Sequence, residues 1–545
     1  MWNISSNYGK SQQEKSLDEK PKQFDELIKN SRFAPRIQFA TTLHKPETEA
    51  DAAAGGGVVF ASFGSQWEVS KDKSENTDSV LIQVPKYALV VVDGICPYFS
   101  GYISESVRSI YEGSVIHVLS SSMARRIYED NHSKAHLDGR IPITENEVED
   151  WLLALEKQAF HYGHSPFHLL GVYCESDIGQ DEAEVFSNII SKHHQPMLKH
   201  NEHNINKRHR FKVNECLRKA GLSTLREKLC LSLEEAMEFC HSSLGMNERD
   251  SFDYDGPSCV VRSPFGYGTH TIPRCNTLHE VKEEYESIKD GEKIVQEFLE
   301  GVEHVVDIVS RDGIHKVAAA WRCDKRRIYS TPFSMYATHL AHPHTNVEAR
   351  MACEYAMEVL NALGVRWGLL HINVMVNRVN QCDDFHMCCK LIDIKYRQHN
   401  IDLSLTTRCI GYNSLDMLLV SYMVDIPGLI PRPTSEHDTP MVEWSDLPKF
   451  PQNIRAYSAV LHLVSNLKGS IMEGIHRGDI LEIPSVDSVC LNKFTQSSDE
   501  EADGPFHVNK RDDAGSIYMI NEDPMQFQKD YLQVIELLPD FITVK

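Results

Sequence analysis

Residues 292–313 read EKIVQEFLEGVEHVVDIVSRDG: an apolar strand, a turn at Gly301, and a second strand that ends on the two-residue turn signal Asp312-Gly313. An ordinary hairpin accounts for the apolar residues. It does not account for VQEFLEGVE, which offers a glutamine, a short run of main chain, and an acid seven residues after the glutamine. Such a hinge can read adenine through Gln296 and the main-chain groups of Glu297 and Leu299, while Glu303 accepts the ribose hydroxyls.

A second set of candidates lies on two later segments. In GLLHINVMV, strand alternation puts His371 and Asn373 on one face; in KLIDIKYRQ it does the same for Asp393, Lys395 and Arg397. If these strands pair antiparallel across the polar loop 377–389, both sets line one surface. The plainer alternatives are an ion pair between Asp393 and Arg397 along their own strand, and a satisfied core role for His371. The run His193, His194, His200, His203 and His209 matches no closed ligand spacing and reads as a solvated face.

The elements that must position these residues are legible in outline. Residues 1–84, with AAAGGG at 52–57 and SKDKSENTDS at 70–79, bury too little apolar surface to offset ordering entropy and read as a flexible extension. From Tyr87 the order YALVVV, DGICPYFSGY, a helix-compatible segment and VIHVLSSS is a βαβ opening to a parallel sheet. HLLGVYCESD repeats the theme and ends in a polar cluster where strand-end ligand sites form. NVEARMACEYAMEVLNAL reads as a helix with Ala352, Tyr355, Ala356, Val359, Leu360 and Leu363 on one face and Gly364 as its stop. A Pro-rich link (426–440) and an acidic loop (497–504) mark the last part of the chain.

Composition narrows the class. The 545 residues exceed one core and predict two to four domains. With 78 acidic against 56 basic side chains, the net charge of −22 argues against nucleic acid or an anionic membrane as partner. No apolar run reaches the roughly 20 residues of a membrane helix. The first residues resemble neither a secretory signal nor a transit peptide, and fourteen cysteines without a C-x-x-C pair predict reduced thiols and a cytoplasmic location. Assembly into a homo-oligomer is compatible with this composition.

Taken in order, several of these segments resemble the ATP-grasp superfamily, in the branch of L-amino acid ligases and other carboxylate-amine ligases. YALVVVDGICPYFSGY is similar to its first strand and loop, YCESDIGQDEAEVF to a later strand end, and NKRHRFKVNECLRKAGL to the helix opening the ATP-grasp domain. ALGVRWGLLHINVMV and LIDIKYRQHN resemble the catalytic strands, and GSIYMINEDPMQFQKDYLQVIELL the terminal strand and helix. The resemblance implies mixed α/β and α+β architecture: a Rossmann-like domain (85–203), a small lid (204–297), a larger catalytic core (298–405) and a C-terminal subdomain (406–545). It implies ATP as ligand, with Lys207 and Arg262 gripping phosphates, Gly266 and Gly268 letting backbone approach them, and small-molecule carboxylate and amine substrates.

The same resemblance implies metal ligands at Asp393 and Asn373, and catalytic roles for Arg397, Lys395 and His371. Here the chain departs from the pattern: Arg262 replaces a lysine, Asn373 replaces a glutamate, and Lys395 stands where asparagine is frequent. Magnesium needs hard oxygen ligands in tight octahedral geometry, and a protonated lysine supplies none. Magnesium binding is therefore doubtful, and two readings follow: a ligase working through an acylphosphate, or a nucleotide-binding pseudoenzyme with a regulatory or scaffolding role. A kinase acting on a non-carboxylate acceptor is a weaker third.

Overall fold

The structure, a computed structural model, describes residues 86–94, 96–111, 113–123, 140–161, 167–195, 198–204, 207–246, 256–265, 274–288, 291–328, 331–377, 388–399, 403–423, 444–463, 471–473, 477–491, 515–538 and 541–544. The expected extension at 1–84, the Pro-rich link and the acidic loop lie outside them.

The chain opens with β1 (Lys86–Val92), α1 (Pro97–Tyr111), β2 (Ser114–Val118), α2 (Glu145–His161), β3 (Phe167–Cys174) and α3 (Gln180–His193). The strands form a parallel sheet in the order β2-β1-β3. Ala88 through Val92 are fully buried because helices cover both faces, which is why YALVVV is continuously apolar. Crossovers of this kind place the polar strand ends, Asp93 and 175–177, at a switch point of the sheet.

Next come α4 (Arg210–Lys219), β4 (Glu227–Cys230), α5 (Leu233–Ser242), β5 (Cys259–Arg262), α6 (Leu278–Ser287) and β6 (Lys293–Glu297). They make a small antiparallel sheet, β4-β6-β5, backed by α5 and α6. Capping fixes where these helices start: Ser232 accepts from the Glu235 amide, and Thr277 forms a capping box with Glu280.

The largest layer is an antiparallel sheet of eight strands. Its strands are β7 (Val302–Arg311), β8 (Ile314–Ile328) and β9 (Thr331–Leu340) and, after α7 (Val347–Ala362), β10 (Gly368–Val376) and β11 (Cys389–Lys395). After α8 (Leu403–Ile410) and α9 (Ser414–Met423), β12 (Tyr457–Leu463) joins it, followed by β13 (Ile471–Glu473), α10 (Arg477–Leu481), β14 (Val486–Leu491), β15 (Gly515–Asn521), α11 (Pro524–Leu537) and β16 (Ile542–Val544). The sheet order is β11-β10-β7-β8-β9-β12-β15-β14. Asp312 and Gly313, both at positive φ (49° and 80°), make the tight β7–β8 turn expected from their sequence. A side chain at Gly301 would meet the Val376 carbonyl oxygen at 2.6 Å, so glycine is required where β6 passes into β7.

Alternation divides the sheet into two faces. Val306, Ile308, Leu370, Ile372 and Val374 pack on α7, whose expected apolar stripe is buried, while Val305, Val309 and Leu369 pack on the other side with α9. Helix α9 is buried all round because it lies between that face and α1 of the first domain. Within this interface the Tyr102 hydroxyl donates to Asp416, whose second oxygen accepts the Asn413 amide at 3.0 Å. Among the described residues no helix is long and apolar enough to cross a membrane, and every described cysteine is a free thiol.

Burial pushes the Asp416 carboxyl up to about 7 in spite of the hydrogen bonds from Tyr102 and the Asn413 amide. A group raised on folding contributes stability that is complete below its unfolded value and lost as pH rises through the folded one. We expect the melting temperature of the native chain, relative to Asp416→Asn, to fall between about pH 4 and pH 8. Thermal unfolding followed by circular dichroism across that range checks it, and a constant difference would contradict it.

Candidate functional site

The site is built on the face of the large sheet opposite α7. Strand β10 pairs antiparallel with β11, and the register sets His371 opposite Lys395 and Asn373 opposite Asp393. On the other side β10 pairs with β7, His371 opposite Asp307 and Met375 opposite Glu303. One polar strip therefore runs across three strands.

Asp393 is its electrostatic centre. Its Oδ2 lies 3.4 Å from Arg210 Nη2 on α4 and 3.4 Å from Lys395 Nζ on its own strand. Arg262, at the end of β5, donates to the neighbouring Ile392 carbonyl at 3.1 Å. Burial pushes the Asp393 carboxyl up, but Arg210, Lys395 and Arg262 together outweigh burial and hold it well below the usual range. The same crowding acts in reverse on Arg262, which burial first and the Arg210 charge second pull down to about 10. The Nε atoms of Arg210 and Arg262 are buried with no hydrogen-bond partner among the described residues, so each retains a donor for something further.

The hinge residues are already engaged. Burial raises Glu303, but Lys325 and a 2.7 Å bond from the Asn373 amide more than offset that, and its carboxyl stays low. Gln296 points inward and donates to Glu227 at 2.7 Å, where Asn214 and Arg218 also bind. Glu297 holds Arg226 at 2.6 Å and Lys390 at 2.7 Å, its amide bonds the Arg226 carbonyl, and Leu299 is half-buried. Lys207 turns to the Glu202 carbonyl at 3.2 Å and does not line the cleft; Arg210, three residues on, takes that place. Gly266 and Gly268 lie outside the described residues.

Two further connections reach the site from below and from the first domain. His371 Nδ1 lies 3.1 Å from the Arg397 carbonyl and its ring 5.1 Å from His399, which faces Asp307 at 3.8 Å; Asp307 in turn accepts from Trp321. Burial, then the His399 and Arg397 charges, hold His371 well below its usual value, so it is a neutral support beneath Arg397 and not a proton shuttle at neutral pH. Arg397 does not pair with Asp393. It pairs with Asp177 of the first domain at 3.0 Å, and Lys395 lies 3.8 Å from the same carboxylate.

What this arrangement can do follows from charge. In the cleft Asp177, Asp181 and Asp393 face Arg208, Arg210, Arg262 and Lys395, a surplus of one positive charge. Magnesium does not fit: Glu303 and Asp393 are both paired with protein cations, and the Lys395 ammonium lies 3.4 Å from Asp393 Oδ2. No group of three or more His, Cys, Asp or Glu among the described residues is placed to hold a metal. Of the residues expected from sequence, Arg262, Asp393 and Lys395 line the cleft, with Arg208, Arg210, Asp177 and Asp181 beside them; its volume is about 50 Å³. Ligand pockets are on the order of 300–1,000 Å³, so a ligand of that size enters only as these side chains part.

The architecture, a parallel three-stranded sheet, a small antiparallel sheet and a large antiparallel sheet, is that of the ATP-grasp fold. The chain is similar to the L-amino acid ligase of Bacillus licheniformis (13% identity, 85% of this chain and 100% of that one, TM-score 0.55). It is also similar to the carboxyaminoimidazole ribonucleotide synthase of Aspergillus clavatus, solved with ATP (12% identity, 84% and 99%, TM-score 0.51). A structure of the Aspergillus clavatus N5-carboxyaminoimidazole synthase, solved with ADP and 5-aminoimidazole ribonucleotide, matches at 14% identity over 84% and 99% with TM-score 0.50. No protein-family model and no curated protein matches the chain.

Sequence reading missed Arg210, Asp177 and Lys325. The basic run NKRHR pointed to α4 but not to which cation faces the cleft, and the other two come from a different domain and a different hairpin. Replacing Asp393 by asparagine leaves the buried Arg262 and the half-buried Arg210 and Lys395 without their shared counter-charge. We expect a loss of about 3–5 kcal/mol, read as a lower urea midpoint at unchanged m-value, whereas a change below about 0.5 kcal/mol would show the cluster to be solvent-screened.

Proposed function

We propose that the chain binds an adenine nucleotide in this cleft without a divalent ion and does not carry out metal-assisted ligation: a nucleotide-binding ATP-grasp protein in a regulatory or scaffolding role. The observation that supports it is the pairing of both site carboxylates with protein cations while Asn373 closes the gap between strands. Arg210, Arg262 and Lys395 supply to a phosphate chain the positive charge that a metal supplies elsewhere, with the planar guanidinium groups suited to bidentate contacts. The β6–β7 hinge takes the base, and Glu303 takes the ribose after releasing Asn373 or Lys325.

A second reading is ATP-dependent joining of a small carboxylate to an amine; in it Arg397, held beside the cleft by Asp177, would be the cation for a transferring phosphoryl group. In it the carboxylate attacks the γ-phosphorus, ADP leaves, and the amine displaces phosphate from the acylphosphate. The first reading is preferred because that transfer loads negative charge onto a site with no place for magnesium.

Calorimetric titration with ATP in EDTA and in magnesium, with hydroxylamine trapping of acylphosphate, tests the choice. Equal affinity in both buffers and no hydroxamate are expected; strong magnesium dependence with efficient trapping would overturn the first reading. The double change Asn373→Glu with Lys395→Asn adds one negative and removes one positive charge, and should introduce magnesium dependence. Separately, Glu303→Ala should weaken ATP binding about tenfold through loss of charge-assisted bonds; unchanged affinity in a folded variant would remove Glu303 from the ribose site.

A further inference from the structure

Asp177 lies between β3 and α3 of the first domain, yet its carboxylate serves the large sheet. Oδ1 is 3.0 Å from Arg397 Nε and Oδ2 is 3.8 Å from Lys395 Nζ, and all three side chains are only 12–13% exposed. Lys395 is thus shared between a carboxylate of its own strand and one brought from another domain. Charges so far removed from water interact strongly and screen weakly.

Asp177 also lines the cleft of about 50 Å³ that holds Arg210, Arg262 and Lys395. A phosphate chain lying against those cations reaches the space of the Asp177 carboxylate, and two anions cannot occupy it together. We propose that Asp177 is a built-in counter-ion that a phosphate-bearing ligand must displace, so that it sets the affinity of the cleft and discriminates by ligand charge. This rests on the nucleotide reading above.

The displacement is local. Gln180 donates to the Tyr396 carbonyl at 2.7 Å and the Gln398 amide donates to Tyr173 at 3.2 Å, and neither bond involves Asp177. The first domain stays docked on the end of β11 while the carboxylate swings out. Neutral ligands gain nothing from the exchange, because they cannot repay Lys395 and Arg397 for the lost partner.

The test compares ADP, inorganic triphosphate and adenosine on the full chain, in EDTA, for the native protein, Asp177→Asn and Asp177→Glu. Asp177→Asn should bind ADP and triphosphate about tenfold more tightly than the native chain, Asp177→Glu should match the native chain, and adenosine should not distinguish the three. Equal or weaker ADP binding by Asp177→Asn, with the native chain binding, overturns the displacement and leaves the nucleotide reading standing. Failure of all three proteins to bind either phosphate compound overturns the nucleotide reading itself. If Asp177→Asn does not fold, amide exchange of the native chain decides: ADP should speed exchange at 175–179, and slower exchange there overturns the proposal.

Discussion

The arrangement of the whole site depends on one carboxylate. Asp393 receives cations from three separate pieces of chain, Arg210 on α4, Arg262 at the end of β5 and Lys395 on β11. Each cation is largely removed from water, at a cost of several kcal/mol per ion that only a nearby opposite charge offsets. Removing that charge would set the three repelling one another; Arg262 is already pulled down by burial first and by the Arg210 charge second. The segment from α4 to β6 thus meets the large sheet at this cluster, through Arg210 on Asp393 and Arg262 on the Ile392 carbonyl.

The same balance decides which ligand is welcome. An octahedral magnesium site wants carboxylate oxygens unclaimed and a negative surround. Here Glu303 is claimed by Lys325 and Asn373, Asp393 by its cations, and the surplus is positive. A fold seen in enzymes fixes where such a site lies but leaves its chemistry to individual side chains. In this chain the positions 373 and 395, on adjacent strands, carry an amide and an ammonium on either side of Asp393. The first domain completes the compensation, since Asp177 answers Arg397 and part of Lys395.

Beneath the charged strip, packing keeps it still. Alternation sends Val306, Ile308, Ile372 and Val374 to α7 and leaves Glu303, Asp307, His371 and Asn373 on the opposite face. Neutral His371, bonded to the Arg397 carbonyl, and His399 beside it fill the space under that arginine with groups that carry no further charge at neutral pH in the case of His371. The all-round burial of α9 joins this face to the first domain in one continuous core, so Asp177 is delivered to the sheet by a packed interface.

Much of this was legible in the sequence because it is local. Period-2 alternation placed His371, Asn373, Asp393 and Lys395 on common faces; Asp312-Gly313 specified a turn; the apolar stripe of 347–362 specified a helix and its buried side. The order of segments pointed to the ATP-grasp fold although no single motif was decisive. What the sequence by itself did not determine is partner choice among charges. Lys207 and Arg210 are equivalent in a list of residues, but Lys207 precedes α4 and turns to the Glu202 carbonyl while Arg210, the first residue of the helix, lines the cleft. Gln296 reads as an exposed hinge amide until β4 brings Glu227 against it. Arg397 reads as a partner for Asp393 on its own strand, but Asp177 arrives from 220 residues earlier and takes it. Strand and helix periodicity is written in neighbouring residues, whereas an ion pair depends on distance and shared burial in space, and only the tertiary structure sets those.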